Sequence, residues 1–128
     1  MKKDGIIHPE LLATLASLGH NDEIVVCDAG YPIPMEVPRI DLGYRRGQPP
    51  FFDVLVAIAA EIVLETGIIA AETSEELARH MAGVLGLEPQ RIPHLDLKAR
   101  AHGCKAAVRT GEFTPYANVI LVAGVAFR

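Results

Sequence analysis

"KAAVRTGEFTPYANVILVAGVAF", residues 105–127, contains two apolar runs separated by a short polar connection. "KAAVRTG" and "NVILVAGVAF" read as strands, with Gly111, Pro115 and Asn118 as punctuation between them. Parallel neighbours need a crossover of a dozen or more residues, and "EFTPYA" is too short to supply one. This stretch therefore predicts two antiparallel neighbouring strands, and a mixed sheet if the remaining strands are joined through helices.

The rest of the chain supplies those helices. "EIVVC", residues 23–27, carries apolar side chains on both faces, as expected of a strand covered on both sides. Before it, residues 8–20 form an amphipathic helix, with Pro9 in the first turn and Leu11, Leu12, Leu15 and Leu18 on one face. Residues 37–50 look loop-like. Residues 51–61 read as a helix with Phe51, Leu55, Ile58 and Ile62 in phase, followed by a strand within residues 62–72. "TSEELARHMAGVLG" is the best-marked helix: Thr73 as N-cap with Glu76 three residues on makes a capping box, and Gly86 stops it. Residues 90–95 are extended and residues 96–103 a short helix. Strands alternating with helices define an α/β fold. It is read as one domain over residues 1–128, with a mixed sheet between helices on both faces, in three layers.

Composition excludes several function classes. The chain has 128 residues, half of them apolar, and a formal net charge of -4. There is no basic stripe with interleaved aromatics, so nucleic acid is not expected. No apolar run reaches the eighteen or so residues that span a bilayer, and "MKKDGIIHPE" lacks the apolar core of a secretory signal. The expected compartment is the cytoplasm, without membrane partners. Cys27 and Cys104 show no CxxC pairing and read as small buried apolar residues. The surplus of Ala, Val, Ile and Leu in a small chain points to cover from other subunits, hence a homo-oligomer.

No GxGxxG, GxxxxGK[ST] or GxSxG occurs, and the five histidines show neither HxH nor HExxH spacing. No metal and no cofactor are expected. His8, His80 and His102 are explained by a helix start, a solvated face and a helix C-terminus. His20 and Asp28 flank the strand 23–27, where loop edges of α/β sheets bind ligands. An imidazole can pass protons near neutrality, and a carboxylate can accept sugar hydroxyls. A helix-end residue and an Asx-type turn account for the same two positions equally well. A second polar group, Tyr116 and Asn118 in "TPYAN", stands before the last strand, with Arg109 and Glu112 at the other end of that connection. His94, after Pro93, is a lone polar residue between the extended segment and the short helix, where a helix N-cap region also explains it.

Together, "LGHNDEIVVCDAGYPIP" (18–34), "RID" (39–41) and "RTGEFTPYANVILVAGVAF" (109–127) resemble the ribose/fucose mutarotase family, on its D-ribose pyranase branch. The resemblance covers nearly the whole chain and is looser from about residue 43 to 93. It implies interconversion of the pyranose and furanose forms of D-ribose without cofactor or metal. It also implies His20 as proton donor, and sugar contacts from Asp28, His94, Tyr116, Ala117 and Asn118. The family further implies a decamer of two pentameric rings with sites shared between subunits. The chain is shorter than the longer members around residues 72–92. "CDAGYPIP" follows the ribose branch, whereas the fucose branch tends to place a histidine near the position of Gly30. An L-fucose-type mutarotase and a non-catalytic monosaccharide-binding protein are the alternatives. Five extended residues span roughly 17 Å, so His20 and Asp28 of one chain are expected to stand too far apart to grip one sugar. The preferred arrangement has His20 of one subunit meeting Asp28 of another.

Overall fold

A computed structural model describes residues 1–127. The elements in chain order are α1 (Pro9–Ser17), β1 (Glu23–Cys27), β2 (Arg39–Asp41), α2 (Phe51–Ala59), β3 (Leu64–Ala70), α3 (Glu75–Leu85), β4 (Gln90–Ile92), α4 (His94–Arg100), a 3-10 turn (Ala101–Gly103), β5 (Ala106–Arg109) and β6 (Val119–Ala123). The six strands form one sheet in the order β2-β5-β1-β6-β3-β4. The β2–β5, β5–β1 and β3–β4 pairs are parallel; β6 runs against both β1 and β3. The expected mixed α/β sheet is what the chain forms.

The sheet divides the interior in two. Ile24 and Val26 of β1, Val119 and Leu121 of β6 and Ile69 of β3 pack under α1, α2 and α3. Val25, Cys27, Ile68, Ile120 and Val122 point the other way, onto Leu97 and Ala101 of the α4 segment. Alternation along each strand thus feeds two cores, which makes three layers. Ile24 to Cys27 are fully buried, as a strand apolar on both faces requires. The Cys27 and Cys104 thiols are buried and free. Burial pushes each of them up to about 12, so both behave as the small apolar residues expected.

Three local expectations need correction. First, β5 and β6 run in opposite senses but are not neighbours, because β1 lies between them. The connection 110–118 therefore arches over the carboxyl end of β1. There, Thr110 N–H and Oγ1 donate to the Cys27 carbonyl at 3.0 and 2.8 Å. β1, apolar on both faces, is paired along both edges this way. Second, residues 37–50 are not all loop. Arg39–Asp41 forms an edge strand on β5, too short for any periodicity to show. Third, the N-cap of α3 is Ser74, not Thr73. The Ser74 hydroxyl accepts from Leu77 N–H at 3.2 Å, while the Thr73 hydroxyl is buried without a partner among the described residues. His8 does cap α1, its Nδ1 accepting from Leu11 N–H at 3.2 Å. His80 is exposed as expected but stacks on Phe52, with centroids 3.5 Å apart. His102 pairs with Glu36.

Candidate functional site

The topology sorts polar residues onto two edges of the sheet. At one edge lie the carboxyl ends of β1 to β5 and the amino end of β6. The opposite edge has the start of β1, the start of β3 and the end of β6.

Asp28, His94, Tyr116, Ala117 and Asn118 all fall at the first edge. Val26 is paired with Val119, which brings Asp28 beside the residues preceding β6. The Asp28 N–H donates to Asn118 Oδ1 at 2.9 Å. Asn118 is one of the few buried polar side chains, and this bond explains how it is tolerated there. Asp28 Oδ1 accepts from Gly30 N–H at 3.0 Å, closing the Asx-type turn. The two readings of Asp28, turn former and site residue, are thus compatible. Burial raises the Asp28 carboxyl above its ordinary value, partly offset by the N–H groups of Gly30 and Tyr31, the Asn118 amide and the nearby His94.

His94 opens α4, its backbone N–H donating to Glu72 Oε1 at 2.9 Å. Its ring stands nearly perpendicular to Tyr116 (centroids 5.2 Å, 85°) and to Tyr31 (6.3 Å, 83°). The His94 Nδ1 and the Tyr31 hydroxyl are buried and have no hydrogen-bond partner among the described residues. Tyr116 sits in the left-handed region, at φ 62°, which is uncommon for a non-glycine residue and recurs at ligand clamps. Arg109 braces the neighbouring loop. Its Nη1 reaches both carboxylate oxygens of Asp41, at 2.9 and 3.1 Å, and its Nε donates to the Ala29 carbonyl at 3.1 Å. Glu112 caps the start of α2 by accepting from Phe51 N–H at 2.9 Å. A cavity of about 290 Å³ opens between Asp28, Arg109, Glu112 and Pro115.

His20 is not with them. It lies at the opposite edge, in a cavity of about 530 Å³ lined by Leu18, Glu61, Val63 and Phe127 among others. Its turn is held firmly. Asp22 Oδ2 accepts from Gly19 N–H at 2.7 Å and from Lys105 Nζ at 3.1 Å, and Asn21 N–H donates to the Ala123 carbonyl at 2.8 Å. Asn21 adopts φ 69°, a conformation asparagine tolerates. His20 Nε2 is 3.4 Å from Glu65 Oε1. Sequence reasoning missed Tyr31 and Glu65. Tyr31 was visible in "DAGYPIP" as an aromatic beside Asp28; Glu65 had no signal, because its partner is 45 residues away.

What one chain offers, then, is a half-buried cluster of carboxylate, imidazole, phenol and amide groups at one edge and a half-exposed imidazole at the other. The chain belongs to the RbsD / FucU transport protein family, whose profile matches residues 1–126. It is 47% identical over 131 aligned positions to the D-ribose pyranase of Geobacillus kaustophilus, covering 99% of this chain and 96% of that one. It is 46% identical to the D-ribose pyranase of Chloroflexus aggregans, covering 99% and 100%. Among solved structures, Bacillus subtilis RbsD complexed with D-ribose superposes with a TM-score of 0.93 at 43% identity, covering 99% of this chain and 100% of that one. The fucose mutarotase of Streptococcus pneumoniae in complex with L-fucose superposes at 0.75 with 29% identity, covering 94% and 95%.

Proposed function

We propose that this chain is an isomerase that interconverts the pyranose and furanose forms of D-ribose. The observation that carries the reading is the cluster at the carboxyl edge of β1, in which Asp28, His94, Tyr116 and Asn118 converge on a half-buried rim. Full-length similarity to D-ribose pyranases and the likeness to a ribose-bound RbsD support the choice of sugar.

Ring opening breaks the bond between the anomeric carbon and the ring oxygen. The electron pair leaves with that oxygen, which takes a proton; the anomeric hydroxyl gives up its proton and becomes the aldehyde. Reclosing on a different hydroxyl reverses both transfers, so the sum is proton-neutral and needs no cofactor. His20 is assigned the proton donated to the ring oxygen. Asp28, His94 and Asn118 hold hydroxyls, Ala117 contributes backbone groups, and Tyr116 bounds the sugar. The reaction proceeds unaided in water, so positioning plus proton relay is sufficient catalysis.

His20 and Asp28 stand at opposite ends of β1, roughly 17 Å apart along five extended residues. The complete site is therefore proposed to form between subunits, with His20 supplied by a neighbour, in a decamer of two pentameric rings. Exposed Ile7, Tyr44, Leu95 and Phe127 give apolar surface for such contacts. Residues 1–128 act as one mutarotase domain, in the cytoplasm. No helix among the described residues is long and apolar enough to cross a membrane.

Exchange NMR tests the activity: added protein should raise the rate of pyranose–furanose exchange of D-ribose above its buffer value. An unchanged rate alongside saturable binding would make the chain a sugar-binding protein without catalysis. Faster exchange of L-fucose than of ribose would move it to the fucose branch.

A further inference from the structure

We infer that Glu65 is a positioning residue for His20, delivered to it by a β-bulge in β3; the inference rests on the proposed proton-transfer role of His20. Along the β3–β6 pair the register runs Leu64↔Ala123 and then Thr66↔Val122, so Glu65 is the extra residue on the bulged strand. A bulge redirects a side chain out of the alternation its strand would otherwise impose, and bulges concentrate beside active sites for that reason. Here the redirected carboxylate ends 3.4 Å from His20 Nε2.

Two features keep the bulge in place. The Gly124 N–H donates to the Val63 carbonyl at 2.8 Å. A Cβ at Gly124 would stand 3.1 Å from Val63 Cγ1 and 3.2 Å from the Glu65 nitrogen, tighter than ordinary contact. The His20 turn opposite is tied down by Asp22 and Lys105. Both partners are thus presented on fixed backbone although their side chains remain about half exposed, at 48% and 55%. A half-exposed pair of this kind contributes little to stability, so its value lies in orientation. With the Nε2 proton directed at Glu65, Nδ1 is the nitrogen left to exchange a proton with the sugar. In neutral His20, Nδ1 is the base; in the protonated ring, Nδ1–H is the acid, and Glu65 balances the charge.

The charged groups facing His20 are Glu65 on β3, Glu61 on the α2–β3 connection, and Asp22 with its partner Lys105 on the turn side. Glu61 is a useful control, since its Oε2 accepts from the Ile6 N–H at 3.1 Å rather than from His20.

The experiment uses the full chain, D-ribose exchange NMR and ¹⁵N spectra of the imidazoles. The expected result is that Glu65→Ala lowers the maximal exchange rate about tenfold, a fraction of what a positioned acid–base group supplies, with half-saturating ribose unchanged. Its neutral His20 resonances should move from the Nε2–H tautomer toward a mixture. Glu65→Gln, which retains an acceptor oxygen, should recover most of the tautomer preference and part of the rate, while Glu61→Gln leaves both at wild-type values. A Glu65→Ala protein with wild-type rate and wild-type tautomer overturns the inference. So does an equal loss in Glu61→Gln. If wild-type protein itself fails to accelerate exchange, the proposed function has failed, yet the tautomer measurement still decides whether Glu65 orients His20.

Discussion

The two ends of β1 are built to opposite specifications. At the carboxyl end Asp28 is half-buried, its backbone N–H is held by a buried Asn118, and two tyrosine rings enclose the imidazole of His94. At the amino end His20 is about half exposed and, among the described residues, its ring pairs with a half-exposed glutamate. The first end has incurred part of its desolvation already, and the strain at Tyr116 adds to that cost. The second end leaves its histidine about half exposed. In the proposed mechanism, grip and proton transfer make conflicting demands on hydration, and the strand between them keeps the two environments apart.

Breaking the exposed end should cost the most activity. His20→Ala is expected to lower ribose exchange by about 100-fold or more, while ribose titration still saturates; full activity in this variant would remove His20 from the mechanism. Breaking the buried end should cost stability as well. Asn118→Ala leaves the Asp28 N–H without its acceptor, a loss of about 1–3 kcal/mol, and a thermal melt should show it together with weaker ribose binding. Mixing the two proteins after dissociation tests whether the ends meet across subunits. If each site takes His20 from one chain and Asn118 from another, random reassembly of the two variants gives intact sites at about a quarter of positions; a mixture no more active than the two variants apart would argue for a site within one chain.

A smaller effect is expected at Asp28 itself, with opposite signs for stability and function. Its folded-state carboxyl titrates above the ordinary value, so the folded chain holds that proton more tightly than the unfolded one. Stability then falls as pH rises from the ordinary carboxylate range through the raised value, and the deficit persists at neutrality. Asp28→Asn should melt about 1–2 °C higher than wild type at pH 7 and bind ribose more weakly; a lower melting temperature at pH 7 would contradict the sign. The least effect is expected at His102, an exposed histidine paired with Glu36 away from both cavities. His102→Ala should leave exchange unaltered and shift stability by less than about 1 kcal/mol.

The parts of this design that were legible in the chain are those in which chemistry and local pattern coincide. β1 could be read to the residue because Asn21 and Asp22 before it and Asp28 and Gly30 after it are turn formers, and α1 and α3 because their apolar faces repeat at helical spacing. His20 and Asp28 stood out as polar residues flanking an apolar strand. The insertion of β1 between β5 and β6 did not show, because strand order is decided by burial across the whole sheet and leaves no local mark. Nor did the choice of Ser74 over Thr73, since adjacent hydroxyls offer the same capping chemistry and only packing selects between them. Glu65 was hidden for a related reason: a bulge is a property of a pair of strands, and neither strand alone declares it.

One consequence of the central position of β1 concerns communication. The strand joining the two proposed half-sites is hydrogen-bonded on both sides, by β5 and β6, and covered on both faces. A strand held in this way has little room to bend, and close-packed interiors do not deform continuously. Occupancy at one end therefore has no soft path along β1 to the other. If several sugars bind one assembly, each should bind as though alone, with a Hill coefficient of about 1, unless subunit contacts themselves rearrange.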